Sequence, residues 1–251
     1  MIVLGYLLAL IIGLSLGLLG GGGSILTVPV LHYVLHYEVR QAVPMSLVVV
    51  GLTSGFGALQ HRKAGAVIWS AALAFGPPAI AGALLGAELG LRTSGAVQLA
   101  VFAVVMIAAA VSMWAGRALF VGAPGATAPA PRRSLPLIVL FGVLVGVLTC
   151  FVGVGGGFLY VPALVLFGGL TMKEAVGTSL VLILLSCIAG FLRYQGSLAL
   201  DWSAIALFTA IAFLGVAAGA RLTRHVSQDT LRRGFAMLLF VMGALVLTVG
   251  R

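Results

Sequence analysis

Acidic side chains are nearly missing from this chain. Five occur in 251 residues, Glu38, Glu88, Glu174, Asp201 and Asp229, and charged residues of both signs make up only 8%. A soluble domain carries about 25%. All five sit at the ends of apolar segments, so no carboxylate relay through a membrane interior is evident. Cysteine is as scarce: Cys150 and Cys187 both lie within apolar runs and read as small buried thiols, not a disulfide or a metal pair. There is no HExxH motif and no paired intramembrane carboxylate, which removes the usual machinery of an intramembrane enzyme. Catalytic residues, cofactors and a bound metal are therefore not expected. The start, Met1-Ile2-Val3-Leu4, lacks a basic stretch, so no cleaved signal peptide is expected.

What the chain has instead is hydrophobicity. Apolar residues make up 62%, too much to hide in a core of this size. The excess must face lipid, which makes the chain an integral membrane protein. Its formal charge of +9 is scattered over loops and forms no long tract. Such charge orients a protein and meets anionic lipid, so a nucleic-acid partner is not expected.

Two stretches say nearly the same thing 133 residues apart. Gly20-Gly21-Gly22-Gly23-Ser24-Ile25-Leu26-Thr27-Val28-Pro29-Val30-Leu31 returns as Gly153-Val154-Gly155-Gly156-Gly157-Phe158-Leu159-Tyr160-Val161-Pro162-Ala163-Leu164. The offset also aligns Gly13 with Gly146, Ser46-Leu47-Val48 with Ser179-Leu180-Val181, Trp69 with Trp202, Gly82 with Gly215, and Gly86 with Gly219. This divides the chain into a first transmembrane repeat over 1–115, a Pro/Gly/Ala-rich linker over 116–134, and a second repeat over 135–251. The expected fold is all-α, a polytopic transmembrane bundle of two homologous halves. Apolar segments fall near 2–19, 24–37, 42–60, 67–90 and 95–115, then 136–152, 157–170, 174–192, 200–222 and 230–249.

The second segment of each half is short, either re-entrant or a broken helix. If all five segments cross, ten basic residues (Arg62 and Lys63 among them) fall on one side and four on the other. If the short segments do not cross, the split is seven against seven. The positive-inside rule favours five crossings per half, and hence inverted repeats. The pairs Gly13/Gly17, Gly82/Gly86, Gly142/Gly146 and Gly215/Gly219 are spaced for close helix packing.

With these motifs in view, the chain resembles the sulfite exporter TauE/SafE family of bacterial membrane permeases. The resemblance rests on Gly155-Gly156-Gly157-x-Leu159-x-Val161-Pro162-x-Leu164, then Ala175-Val176-Gly177-Thr178-Ser179-Leu180, and on their first-half copies, Gly21 to Leu31 and Ala42 to Leu47. Pro44-Met45 departs from the Gly177-Thr178 of the second copy. The resemblance implies a permease for small sulfur-containing anions such as sulfite or sulfonates, in the bacterial inner membrane. A proton or sodium ion is a candidate coupling partner; the oligomeric state is left open.

A glycine run before a helix frees amide N–H groups at the positive end of the helix dipole, and these bind an oxyanion without a basic side chain. The expected substrate contacts are Gly21, Gly22, Gly23, Ser24, Ser46, Gly155, Gly156, Gly157, Thr178 and Ser179. Gln60 and His61, with Tyr194 and Gln195, are candidate gates at the two mouths, although interfacial anchoring explains such residues as readily. An added methyl at Gly156 is expected to weaken anion affinity while sparing stability; at Gly215 it should disturb packing. Two other readings stay open. A transition-metal carrier would want His, Cys or carboxylate ligands at depth. His32 and His36 have the i, i+4 spacing for one but no accompanying carboxylate. A membrane assembly factor would leave the duplicated glycine runs without a purpose.

Overall fold

The computed structural model describes residues 2–115, 135–195 and 200–222, and among these every regular element is helical. The 116–134 linker, Asp229 and the tenth expected segment at 230–249 lie outside the described residues. Helix α1 (Ile2–Leu19) runs into a 3-10 helix at Gly20–Leu26, a single α turn, α2 (Thr27–Pro29), and a π turn at Val30–Val34. Then come α3 (Val39–Lys63), α4 (Trp69–Arg92), α5 (Gly95–Ala115), α6 (Leu135–Val152), α7 (Gly157–Leu166), α8 (Met172–Tyr194) and α9 (Trp202–Leu222).

Among the described residues four helices, α3, α4, α8 and α9, are long and apolar enough to cross a bilayer. Leu73, Leu85, Leu207 and Leu214 point outward from α4 and α9, as lipid-facing side chains do. Helix α7 has ten residues. At 1.5 Å per residue it is about 15 Å long, half of a ~30 Å hydrocarbon core. The second segment of each half is thus a broken helix, split into 3-10, α and π turns in the first half and cut to ten residues in the second.

Lipid gives helices no hydrophobic reason to associate, so close backbone approach has to hold them. Two crossings show it. On α1, a β-carbon added to Gly13 would lie 2.8 Å from the Ala212 carbonyl carbon of α9. On α6, one added to Gly146 would lie 3.0 Å from the Ala79 carbonyl carbon of α4. From the other side, Gly82 and Gly86 of α4 press on the backbone of Val143 and Val147, and Gly215 and Gly219 of α9 on that of Leu10 and Leu14. The partners shift by the same 133 as the glycines: the α1/α9 and α4/α6 contacts match position for position. Between them α3 packs on α8 and encloses most of the core.

Local signals set several helix starts. Thr171 Oγ1 accepts from the Glu174 backbone N–H, and Glu174 Oε2 accepts from the Thr171 N–H at 2.8 Å, a capping box that opens α8. Asp201 Oδ1 accepts from the Ala204 N–H at 2.9 Å and opens α9.

Candidate functional site

The two glycine runs share a composition and fold differently. The first winds into the 3-10 helix and folds back onto α1, where a β-carbon on Gly23 would stand 2.7 Å from the Ile12 carbonyl oxygen. The second is a true break. Gly153 (φ +78°), Gly155 (φ +70°) and Gly156 (φ +60°) all take left-handed backbone, which other residues rarely adopt. Helix α6 closes there with the Gly153 and Val154 N–H groups both donating to Thr149 O, at 2.9 and 3.2 Å. Helix α7 then opens on Gly156 with no side-chain cap. Its first N–H groups therefore have no intrahelical partner, as at any helix start.

The break is central because both halves reach it. Ser24 Oγ donates to Val154 O, and Ser46 Oγ donates to Gly153 O. A β-carbon on Gly155 would lie 3.0 Å from Ser24 Oγ. Of the expected contacts, the structure thus gathers Ser24, Ser46, Gly155 and Gly156 at one place. The two serine hydroxyls spend their protons on carbonyls there, and so are not donating elsewhere. Thr178 and Ser179 bond elsewhere. Thr178 Oγ1 accepts from the Ile68 N–H at 3.0 Å, beside the α3–α4 turn, and Ser179 Oγ donates back to Val176 O at 2.8 Å within α8.

The gate candidates divide too. Gln195 is exposed at the end of α8, but Tyr194 is buried, its hydroxyl donating to Cys150 O at 3.2 Å. Gln60 and His61 are half-buried at the end of α3; His61 bonds to the backbone of Gly17, and its Nε2 is buried without a partner. His36 is exposed at φ +60° and His32 Nδ1 lies 2.8 Å from Tyr37 O, so this pair does not share a regular helical face. Among the described residues no three His, Cys, Asp or Glu side chains converge.

Several polar groups at the break lie outside the set expected from sequence. Tyr160 on α7 and Ser186 on α8, both fully buried, share a hydrogen bond of 2.7 Å. Cys150 Sγ donates to Ser186 O at 3.2 Å. Gln98 Nε2 on α5 donates to Gly90 O at 3.1 Å and to Phe151 O at 3.2 Å. The available signal was the repeat itself, which sets Tyr160 opposite Thr27 and Ser186 opposite Thr53, hydroxyl against hydroxyl. A cavity of about 10 Å³, room for one water, lies between Phe102, Leu148, Thr149, Val152, Gly156 and Leu159. A β-carbon on Gly156 would collide with Thr149 Oγ1. That overturns the expectation that alanine at Gly156 spares stability.

Residues 5–246 match the family described as sulfite exporter TauE/SafE. The chain belongs to that family. A probable membrane transporter protein of Xylella fastidiosa is 29% identical over 246 residues, covering 94% of this chain and 91% of that one. One of the same description from Haemophilus influenzae is 28% identical over 264 residues, covering 96% of each. Another, from Methanocaldococcus jannaschii, is 26% identical over 259 residues, covering 96% of this chain and 94% of that one. No solved structure matches. Family membership and the apolar helices together make this TauE/SafE protein a multi-pass membrane transporter.

Proposed function

We propose that the protein moves small sulfur-containing anions, sulfite or a sulfonate, across the bacterial inner membrane by alternating access and carries out no covalent chemistry. The observation that carries this reading is the break between α6 and α7. Three left-handed glycines open α7 without a side-chain cap, so amide N–H groups at the positive end of a helix are left for a ligand. Gly155, Gly156 and Gly157 are the central contacts in this reading. Gly21, Gly22 and Gly23 are first-half contacts in this reading, adjoining Ser24, which reaches the break, and Thr178 and Ser179 are reached only after rearrangement. The two halves act as inverted repeats around the break; the exchanged α1/α9 and α4/α6 contacts support that symmetry. Purified protein in proteoliposomes should exchange radiolabelled sulfite or a short sulfonate, with unlabelled sulfur oxyanions competing and divalent metal ions inert. Metal uptake without any anion response would overturn the proposal.

A further inference from the structure

The same break has a second pole. Where α7 offers amides, α6 ends in carbonyls, and a helix C-terminus carries negative partial charge. Gly153 O and Val154 O leave the helix here and meet two side-chain oxygens, Ser46 Oγ and Ser24 Oγ, both fully buried. These bonds would complete the account as carbonyl satisfaction alone, were it not for Thr27. Its hydroxyl is fully buried and has no hydrogen-bond partner. It opens α2 directly after the 3-10 helix and follows Ser24 by three residues, about one helical turn, which puts it on the side of the chain that Ser24 presents to the break. A hydroxyl with no partner there is costly.

We propose that Ser24 Oγ, Thr27 Oγ1, Ser46 Oγ, Gly153 O and Val154 O form a binding site for a small monovalent cation, sodium. The donor set is all neutral oxygen. Divalent cations of this hard type are held through carboxylates, and among the described residues no carboxylate is buried. Sodium needs only oxygen dipoles, and unwound carbonyls at half-helix ends supply them in transporters generally. When the ion enters, the two serine hydroxyls turn their lone pairs toward it and release the carbonyls they now cap, so the five oxygens share one charge. The inference rests on the permease reading, to which it adds a coupling ion, but binding is measurable without any anion.

The test is thermal unfolding of the purified full-length protein in detergent, with sodium chloride exchanged for choline chloride at fixed ionic strength and no sulfur anion present. Wild type should show a saturable rise in Tm, about 3–6 °C at ten times Kd. Thr27→Val keeps the shape and removes the hydroxyl. Because that hydroxyl has no partner in the empty site, the variant should melt in choline no earlier than wild type. Its half-saturating sodium concentration should rise about tenfold. Ser46→Ala should lose the sodium response and melt earlier in both salts. A wild-type Tm that ignores sodium would overturn the site, as would an equal sodium response in Thr27→Val. Neither result would touch the anion reading, and a failure of anion flux with the sodium response intact would sink that reading alone.

Discussion

Three glycines separate the two costs of an added methyl group, and together they test the shape of the break. Gly65 has φ +71° and nothing within 4 Å of an added β-carbon, so Gly65→Ala carries backbone strain alone, about 1 kcal/mol. Gly146 has ordinary helical backbone, but its β-carbon would lie 2.9 Å from the Ala83 nitrogen and 3.0 Å from the Ala79 carbonyl carbon. Backbone cannot swing aside as a side chain can. Helices α4 and α6 must part by something on the order of 1 Å, at a cost of about 1–3 kcal/mol in overpacking and lost dispersion. Gly156 has both problems, φ +60° and Thr149 Oγ1 in the way, and adding the two gives about 2–4 kcal/mol. For a chain of this size each kcal/mol lowers Tm by about 2–4 °C. The expected order of melting is therefore Gly65→Ala highest, then Gly146→Ala, then Gly156→Ala. Three tryptophans make intrinsic fluorescence in one detergent a suitable readout. If Gly156→Ala melts no earlier than Gly65→Ala, the left-handed turn against Thr149 is not how this chain leaves α6, and the site built on it fails.

Tyr160→Phe should destabilise by about 1–3 kcal/mol by leaving the buried Ser186 hydroxyl short of its partner, and Tyr160→Phe with Ser186→Ala should cost less than the sum of the single changes; additive losses in urea unfolding would show the pair is uncoupled. Outside the membrane segments, burial and the 2.7 Å bond to Asp201 push the Tyr37 hydroxyl up to about 12. A raised folded pKa means its contribution is whole below the ordinary value near 10 and lost as pH climbs through about 12. Phenolate absorbance, taken as wild type minus Tyr37→Phe, should titrate in that window, and Asp201→Asn should move it down while leaving it above 10, since burial remains. An unmoved titration would mean Asp201 does not hold Tyr37. The Asp201 carboxyl is held below its ordinary value by the Ala204 N–H and the Tyr37 hydroxyl, so that end of the tie loosens only as the medium becomes more acidic than usual for a carboxylate.

Much of the architecture was legible because it rests on local pattern. Long apolar runs gave the helices, and glycines spaced by four named the α1, α4, α6 and α9 crossings before any contact was known. The two glycine runs mark the limit. Their compositions are alike, yet one becomes a 3-10 turn and the other a left-handed break. The residue at the matching place on the preceding helix is Leu16 in one copy and Thr149 in the other, and contacts of that kind are absent from the glycine motif itself. Hydroxyl assignments fail for a related reason. Ser46 finds its acceptor 107 residues away at Gly153, whereas Ser179 finds one three residues back in its own helix. Nothing in Ser-Leu-Val, present in both halves, tells these outcomes apart. Tyr194 misled because an aromatic at a helix end usually sits at the interface, and here its ring alone turns inward, the hydroxyl lying beside Gly90 of α4 and Gln98 of α5.

The glycine crossings also act as mechanical detents. Each is a notch between larger residues on the same helix face, one turn away: Leu10 and Leu16 about Gly13, and Val143 and Thr149 about Gly146. A helix sliding along its partner by three residues, about 4.5 Å, would set one of those side chains where the glycine now admits the opposing carbonyl. The α1/α9 and α4/α6 pairs therefore resist shear. Each is a stiff plank, and in the alternating-access reading the motion runs along the seams between planks, where α3 meets α8 and where the chain turns at Gly153.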